Sequence, residues 1–392
     1  MKILYISREY PPETGFGGIG TYTKCIAEGM AARGHEVHVI SGNMINENQI
    51  QNVNDVTIHR IRSGHYPLPQ NRFFYPVRKL CYRFIPHTLI RLAWATAVKN
   101  EYQRLLEEVR HFDIVEYPEC GAEAFFLNTQ SKQVARLHTP WHLIHSLDKL
   151  KEPLLDQWSM DYMERKTVKN ANIVTSPSVA LAKHIRNRWR IGTIEVIPNP
   201  IPTNQYPQAD GTGWIYTGRI EMRKGIHILI EAYAALSSPP PLTLIGRAYG
   251  NIEDGTSYES YIKKLIQKYN LENKVTIIPG VPHEELKKYL QMSAVAFFPS
   301  LWENFPYSCL EAMASGLTVV TSDTGGYPDM VNNNECGLLV KANSHASLYQ
   351  AMKYLLEKPQ LVRELGLNAR RRVQTLFDSS KVCELMEKIY EN

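Results

Sequence analysis

Short runs of apolar, β-branched residues alternate with amphipathic stretches of helical length along almost the whole chain. That is the pattern of parallel sheets covered by helices on both faces. Strands are predicted near Ile3 to Ser7, Val37 to Ser41, Val56 to Ile61, Asp113 to Glu116, Val134 to Leu137, Asn172 to Ser176 and Ile194 to Ile197. A second set is predicted near Trp214 to Thr217, Leu242 to Ile245, Val275 to Pro279, Val295 to Phe298, Thr318 to Thr321 and Gly337 to Val340. Between the sets lies IPNPIPTNQYPQADGTG, with four prolines from Pro198 to Pro207 and no periodicity. The expectation is an α/β protein of two Rossmann-like, doubly wound domains, 1–198 and 199–372, facing across a cleft. The segment 373–392 reads as a C-terminal helix able to pack back on the first domain. Ligands of such sheets bind beyond the carboxyl ends of the strands, so chemistry is sought in the loops that follow them.

Composition changes this picture little. The 392 residues carry a formal charge of +5 and are 44% hydrophobic, an ordinary globular balance that excludes disordered and fibrous classes. Met1 and Lys2 run straight into an apolar segment without the tripartite pattern of a secretory leader, so the start is read as mature. No apolar run is long enough to span a membrane. Six cysteines are scattered without a Cys-x-x-Cys pair, which points to a reducing, cytoplasmic setting and gives no zinc site.

Gly15, Gly17 and Gly20 spell G-x-G-x-x-G, but REYPPETG separates them from the first strand and the second strand ends in VHVISGN without an acid for a ribose. The dinucleotide reading is therefore rejected. What remains is a Gly-rich loop, including Gly17 and Gly18, whose backbone can approach a phosphate or an acceptor before a helix around Tyr22 to Met30. IYTGRIEMRKGIHILIEAY is more specific: after a strand ending at Thr217, Arg219 and Lys224 flank a loop leading to a helix near Gly225. Cations beside free amides stabilise a pyrophosphate and the charge that grows as a nucleoside diphosphate departs. In PSLWENFPYSCLEAMASGLTVV, Glu303 falls in the loop and Glu311 inside a helix starting at Pro306. The two carboxylates must serve different parts of a ligand, with the amides of Phe305, Tyr307, Ser308 and Cys309 between them.

The chain resembles glycosyltransferase family 4, with the two-domain GT-B fold. The resemblance rests on the ordered set GFGGIGTYTKCIAEGMAARGHEVHVI, the LH at the end of a middle strand, IPN, GRIEMRKG and the E-x7-E motif. It implies transfer of a hexose from a nucleoside diphosphate sugar, UDP favoured, with retention at the anomeric carbon and no metal or other cofactor. The absence of Asp-x-Asp agrees. It further implies that Arg219 and Lys224 hold the donor phosphates, Glu303 approaches the sugar hydroxyls, Glu311 the ribose, and His138 the donor sugar at the reaction centre. Asn304, Phe305, Tyr307 and Ser308 join the donor site, and the base is read by backbone near Gly280 and Val281. His138, His142 and His145 lack the acidic partners of a metal site. The chain departs from the family at PNPIPT, where a glycine and an aspartate usually follow the Asn, so the role of Asn199 stays open.

Residues 59–104 carry nine Lys or Arg against the single acid Glu101, interleaved with aromatic residues and prolines. If a helix continues through Pro76, Arg72, Lys79 and Arg83 share one side, beside an apolar stripe of Phe73, Val77, Leu80 and Phe84. This insertion fits an anionic acceptor, an anionic membrane surface at the inner face, or a solvated helix pair. Nucleic acid is not expected, because no nucleic-acid module is present. The acceptor classes left open are polysaccharide, glycolipid and sugar phosphate. A nucleotide-sugar epimerase would need no acceptor domain, and the long insertion argues against it. A binding module that has lost catalysis would not be expected to keep Arg219, Lys224, Glu303, Glu311 and His138 together.

Overall fold

The computed structural model describes residues 1–15, 17–44, 47–62 and 75–391. Arg72 and Phe73, singled out above, lie outside them. The chain gathers into two compact units, Met1–Pro200 with Val382–Asn392, and Ile201–Lys381.

The strands of the first unit are β1 (Lys2–Ile6), β2 (Glu36–Gly42), β3 (Gln49–Val53), β4 (Val56–Ile61), β5 (Ile114–Pro118), β6 (Lys132–Arg136), β7 (Ile173–Ser176) and β8 (Glu195–Val196). They lie in the order β3-β4-β2-β1-β5-β6-β7-β8. All pair in parallel except β3 with β4. Ile3, Leu4, Tyr5 and Ile6 are all buried whichever face they point to, as a central strand covered on both sides requires. β3 is the strand the pattern did not predict: QIQNV is largely polar and sits exposed at the sheet edge. The helices are α1 (Gly18–Ala32), α2 (Tyr75–Phe84), α3 (Pro86–Val109), α4 (Trp141–Leu147), α5 (Leu154–Lys169) and α6 (Val179–Trp189).

The second unit has β9 (Gly213–Thr217), β10 (Leu242–Ile245), β11 (Val275–Ile278), β12 (Ser293–Phe298), β13 (Thr318–Ser322) and β14 (Leu338–Val340). Their order is β11-β10-β9-β12-β13-β14, parallel throughout. Its helices are α7 (Ile226–Ala234), α8 (Tyr258–Lys268), α9 (His283–Gln291), α10 (Tyr307–Ala314), α11 (Tyr327–Met330), α12 (His345–Glu357) and α13 (Pro359–Leu376). Trp214, Tyr216, Leu229, Leu244 and Phe297 belong to one buried core. Because β9 has β10 on one side and β12 on the other, the strand order switches there, and the loops after β9 and β12 become neighbours.

The single helix expected over 373–392 is instead the end of α13 and a separate α14 (Ser379–Glu391). The break has a backbone cause. Ile201 donates to the Phe377 carbonyl at 2.9 Å and accepts from the Ser379 amide at 3.0 Å, which draws that stretch out of the helix. From Val382 onward α14 belongs to the first unit, burying Val382, Cys383, Met386 and Tyr390. There the Tyr390 hydroxyl donates to Glu116 at 2.6 Å and lies 3.1 Å from the Tyr5 hydroxyl.

Candidate active site

In the second unit the switch point assembles a cluster of charges. A 3-10 turn over Met222–Lys224 follows the β9 loop, and Gly225 turns the chain into α7 with φ +70°. A Cβ at Gly225 would stand 2.2 Å from the Pro299 carbonyl oxygen, so only glycine lets the turn press against the loop after β12. The Leu301 amide donates to the Arg223 carbonyl at 2.7 Å and locks the two loops together. Gly325 does the same from the other side: its Cβ would lie 1.8 Å from the Glu303 carbonyl oxygen, which accepts from the Gly326 amide at 2.8 Å.

Glu303 is thereby delivered to the cations. Its carboxylate meets Lys224 Nζ at 2.7 Å and the Arg223 guanidinium, which also donates to the Trp302 carbonyl at 3.1 Å. Burial opposes ionisation of Glu303, but Lys224, Arg223 and then Arg219 outweigh it and hold the carboxyl below its usual range. Glu221 bridges Arg223 and Arg219, at 2.8 Å and 3.2 Å. Arg219 has its side chain 56% exposed and its guanidinium 6.0 Å from the Tyr249 ring centroid. Lys224 is engaged with Glu303, while Arg223 and Glu221, which the sequence reading passed over, complete the cluster. Their only signal was their position within the basic motif itself.

Glu303 lies in the loop and Glu311 within α10, as their spacing predicts. Glu311 Oε1 stands 3.4 Å from the Tyr206 hydroxyl and 3.2 Å from His283 Nε2, at the start of α9. Pro306 caps α10 in an extended conformation, with Asn304, Phe305 and Tyr307 buried around it and Ser308 half-buried. The Cys309 amide, expected among the donors on offer, turns inward to the Pro306 carbonyl at 3.2 Å. Val281 lies in the connection between β11 and α9, next to Gly280.

In the first unit Gly17 is the extended N-cap of α1 and Gly18 its first residue. The Glu9 carboxylate lies at this end of the helix, 3.3 Å from the Gly20 amide. A carboxylate already takes the position an anion would favour, which changes the expectation that these glycines open the helix to a phosphate. His138 follows β6, its ring edge-on to Tyr22 with centroids 5.3 Å apart. Burial, aided by Arg136, pushes its imidazole down to about 3, so it is neutral at ordinary pH. Two buried acids brace its loop. Glu119 accepts from the His138 amide at 2.7 Å, and Glu164 accepts from the Trp141 amide at 2.9 Å and the Gly121 amide at 3.0 Å. Burial raises both, Glu119 to about 8 with help from Glu164, and Glu164 to about 7. Neither had a sequence signal, since each bonds backbone distant in the chain.

The three histidines do not converge: His142 meets His184 at 2.9 Å. Asn199, left open above, accepts from the buried Arg136 guanidinium at 2.9 Å. Lys79 and Arg83 lie exposed on α2.

Two doubly wound units of this kind make the GT-B fold, and the family models make the chain a glycosyltransferase. The chain belongs to the family-4 type: residues 16–205 match the family Glycosyltransferase Family 4, and residues 209–372 match Glycosyl transferases group 1. Among relatives, it is 24% identical to glycogen synthase of Mycobacterium tuberculosis, covering 100% of this chain and 94% of that protein. It is 25% identical to MMP alpha-(1->4)-mannosyltransferase of Mycolicibacterium hassiacum, covering 100% and 98%. Sucrose-phosphate synthase from Thermosynechococcus elongatus superposes with TM-score 0.78 at 22% identity, over 100% of this chain and 98% of that one. HepE of Anabaena, solved in complex with UDP-glucose, gives TM-score 0.71 at 17% identity, over 100% and 99%.

Proposed function

We propose that this glycosyltransferase moves a hexose from a UDP-sugar to a polysaccharide, glycolipid or sugar-phosphate acceptor, with retention and without a metal. The observation that carries the reading is the Arg219–Arg223–Lys224 cluster around Glu303 and Glu221 at the β9–β12 switch point. When the bond between the anomeric carbon and the diphosphate breaks, the electron pair leaves on a phosphate oxygen. Fixed cations stabilise that charge most where water is thin. In this reading Arg219 and Lys224 face the diphosphate, and Arg223 holds Glu303 for the sugar hydroxyls.

Glu311 takes the ribose, with the buried residues of the α10 cap and the Val281 connection around the nucleotide. Complexes of HepE with UDP-glucose and of starch synthase IV with ADP support a nucleotide donor, and UDP is the commoner nucleotide in the family. His138, neutral, acts as a hydrogen-bonding partner of the donor sugar, a role resting on the family resemblance of its loop. The test is release of UDP from UDP-sugars with and without candidate acceptors, in EDTA. Transfer that persists with retained configuration supports the reading, and strict dependence on magnesium or manganese overturns its metal-free form.

A further inference from the structure

α2 is amphipathic, and no described residue covers its apolar stripe. At 3.6 residues per turn Val77, Leu80 and Phe84 align, and all three are exposed, Leu80 at 58%. Lys79 and Arg83, four residues apart, form a second exposed stripe beside them. The helix contains no acid. The start of α3, just past the end of α2, is fastened to α5, because the Asp156 carboxylate accepts from the His87 amide at 3.0 Å, the Thr88 amide at 2.9 Å and the Thr88 hydroxyl at 2.6 Å. α2 also packs against α5 directly. Around that corner Leu154, Leu155 and Trp158 are exposed, Leu154 at 81% and Trp158 at 66%, and Tyr162 stacks on Trp158 with centroids 5.8 Å apart. Lys151 stands exposed just ahead of them.

So many large apolar side chains sharing one corner mark an interaction surface rather than ordinary solvated helix. A protein partner would favour an interface core poor in lysine, whereas Lys and Arg flanking Leu, Phe and Trp suit a helix lying at the boundary of an anionic bilayer. We propose that α2 and the first turn of α5 form the face by which this protein docks on an anionic lipid surface. Leu80, Phe84, Leu154 and Trp158 enter the acyl boundary, and Lys79, Arg83 and Lys151 meet the headgroup phosphates. The corner adjoins the loop that carries His138. The His87 ring lies 5.3 Å from the Trp141 ring, whose Nε1 donates to Glu152 at 2.9 Å. Docking there brings that loop to the lipid surface. No helix among the described residues is long and apolar enough to cross a membrane.

The test is sedimentation of the full chain, without nucleotide, with vesicles of phosphatidylcholine alone or in equal mixture with phosphatidylglycerol. Binding is expected to the mixed vesicles only and to weaken with salt. Lys79→Gln with Arg83→Gln should lower partitioning tenfold or more, at about fivefold per charge. Leu154→Ser with Trp158→Ser should also lower it, while leaving UDP release from UDP-glucose and the melting temperature unchanged. Vesicle binding and UDP release are separate readouts, so docking and sugar transfer fail independently. Three results would overturn the proposal: no binding to phosphatidylglycerol, binding indifferent to both pairs of substitutions, or equal competition by glycerol phosphate. A concentration-dependent dimer lost in Leu154→Ser would do the same, since a second copy would then be what covers the face.

Discussion

Glu303 is ionised in a buried place because Lys224 and Arg223 meet it there, and each of those cations in turn depends on it. Glu303→Gln removes one charge and leaves two partly buried cations short of a partner, so it should damage turnover and stability together. Glu311→Gln should instead weaken UDP binding in a calorimetric titration, because its partners Tyr206 and His283 lie apart from the cation cluster. If Glu303→Gln lost UDP affinity and Glu311→Gln kept it, the two roles would be reversed. The acids that brace the His138 loop give a pH signature of opposite sign. With its carboxyl raised from 4.5 to about 8, Glu119 contributes stability that is complete below 4.5 and is lost as pH rises through about 8. Glu119→Gln keeps a neutral acceptor at every pH. The melting temperature of the wild type should therefore fall relative to that of Glu119→Gln across this window, and parallel profiles would show that the acid does not titrate there.

At the scale of elements, two loops that follow different strands are held together by contacts no side chain could replace. Gly225→Ala puts a Cβ 2.2 Å from the Pro299 oxygen at a positive φ, so it should cost more than about 1 kcal/mol and weaken UDP binding by moving Lys224. Urea unfolding and UDP titration check both effects, and a neutral substitution would mean the turn is free to shift. The same contacts explain what was legible beforehand. The strands that bury both faces announced themselves as apolar runs, whereas β3 is polar and exposed and had no such signal. The spacing of Glu303 and Glu311 separated loop from helix correctly. Pairing of Glu303 with Lys224 was hidden, because it depends on β9 and β12 being sheet neighbours although two strands intervene in sequence. In the basic insertion, the lack of acids in α2 was visible, but Leu154 and Trp158 join that surface through the packing of α5 on α2 and the bonds of Asp156 to the start of α3, both long-range contacts.

Across the whole molecule, the chain returns to its first unit at its end. Tyr390 brings its hydroxyl to the fully buried Glu116, whose other oxygen is met by Tyr22 at 2.7 Å. Tyr390→Phe leaves one buried carboxyl oxygen without that donor and should cost about 1 to 3 kcal/mol in denaturant unfolding of the first unit. The larger claim is that a fold of two doubly wound units places a cation cluster where a nucleotide sugar gives up its diphosphate. The most direct measurement is the rate of UDP release from UDP-glucose in the presence of an acceptor that the wild type uses, for wild type and Lys224→Ala side by side. Lys224→Ala should stay folded, as judged by its melting curve, and release UDP about 100-fold more slowly or worse. A folded Lys224→Ala variant that releases UDP as fast as the wild type would contradict the account.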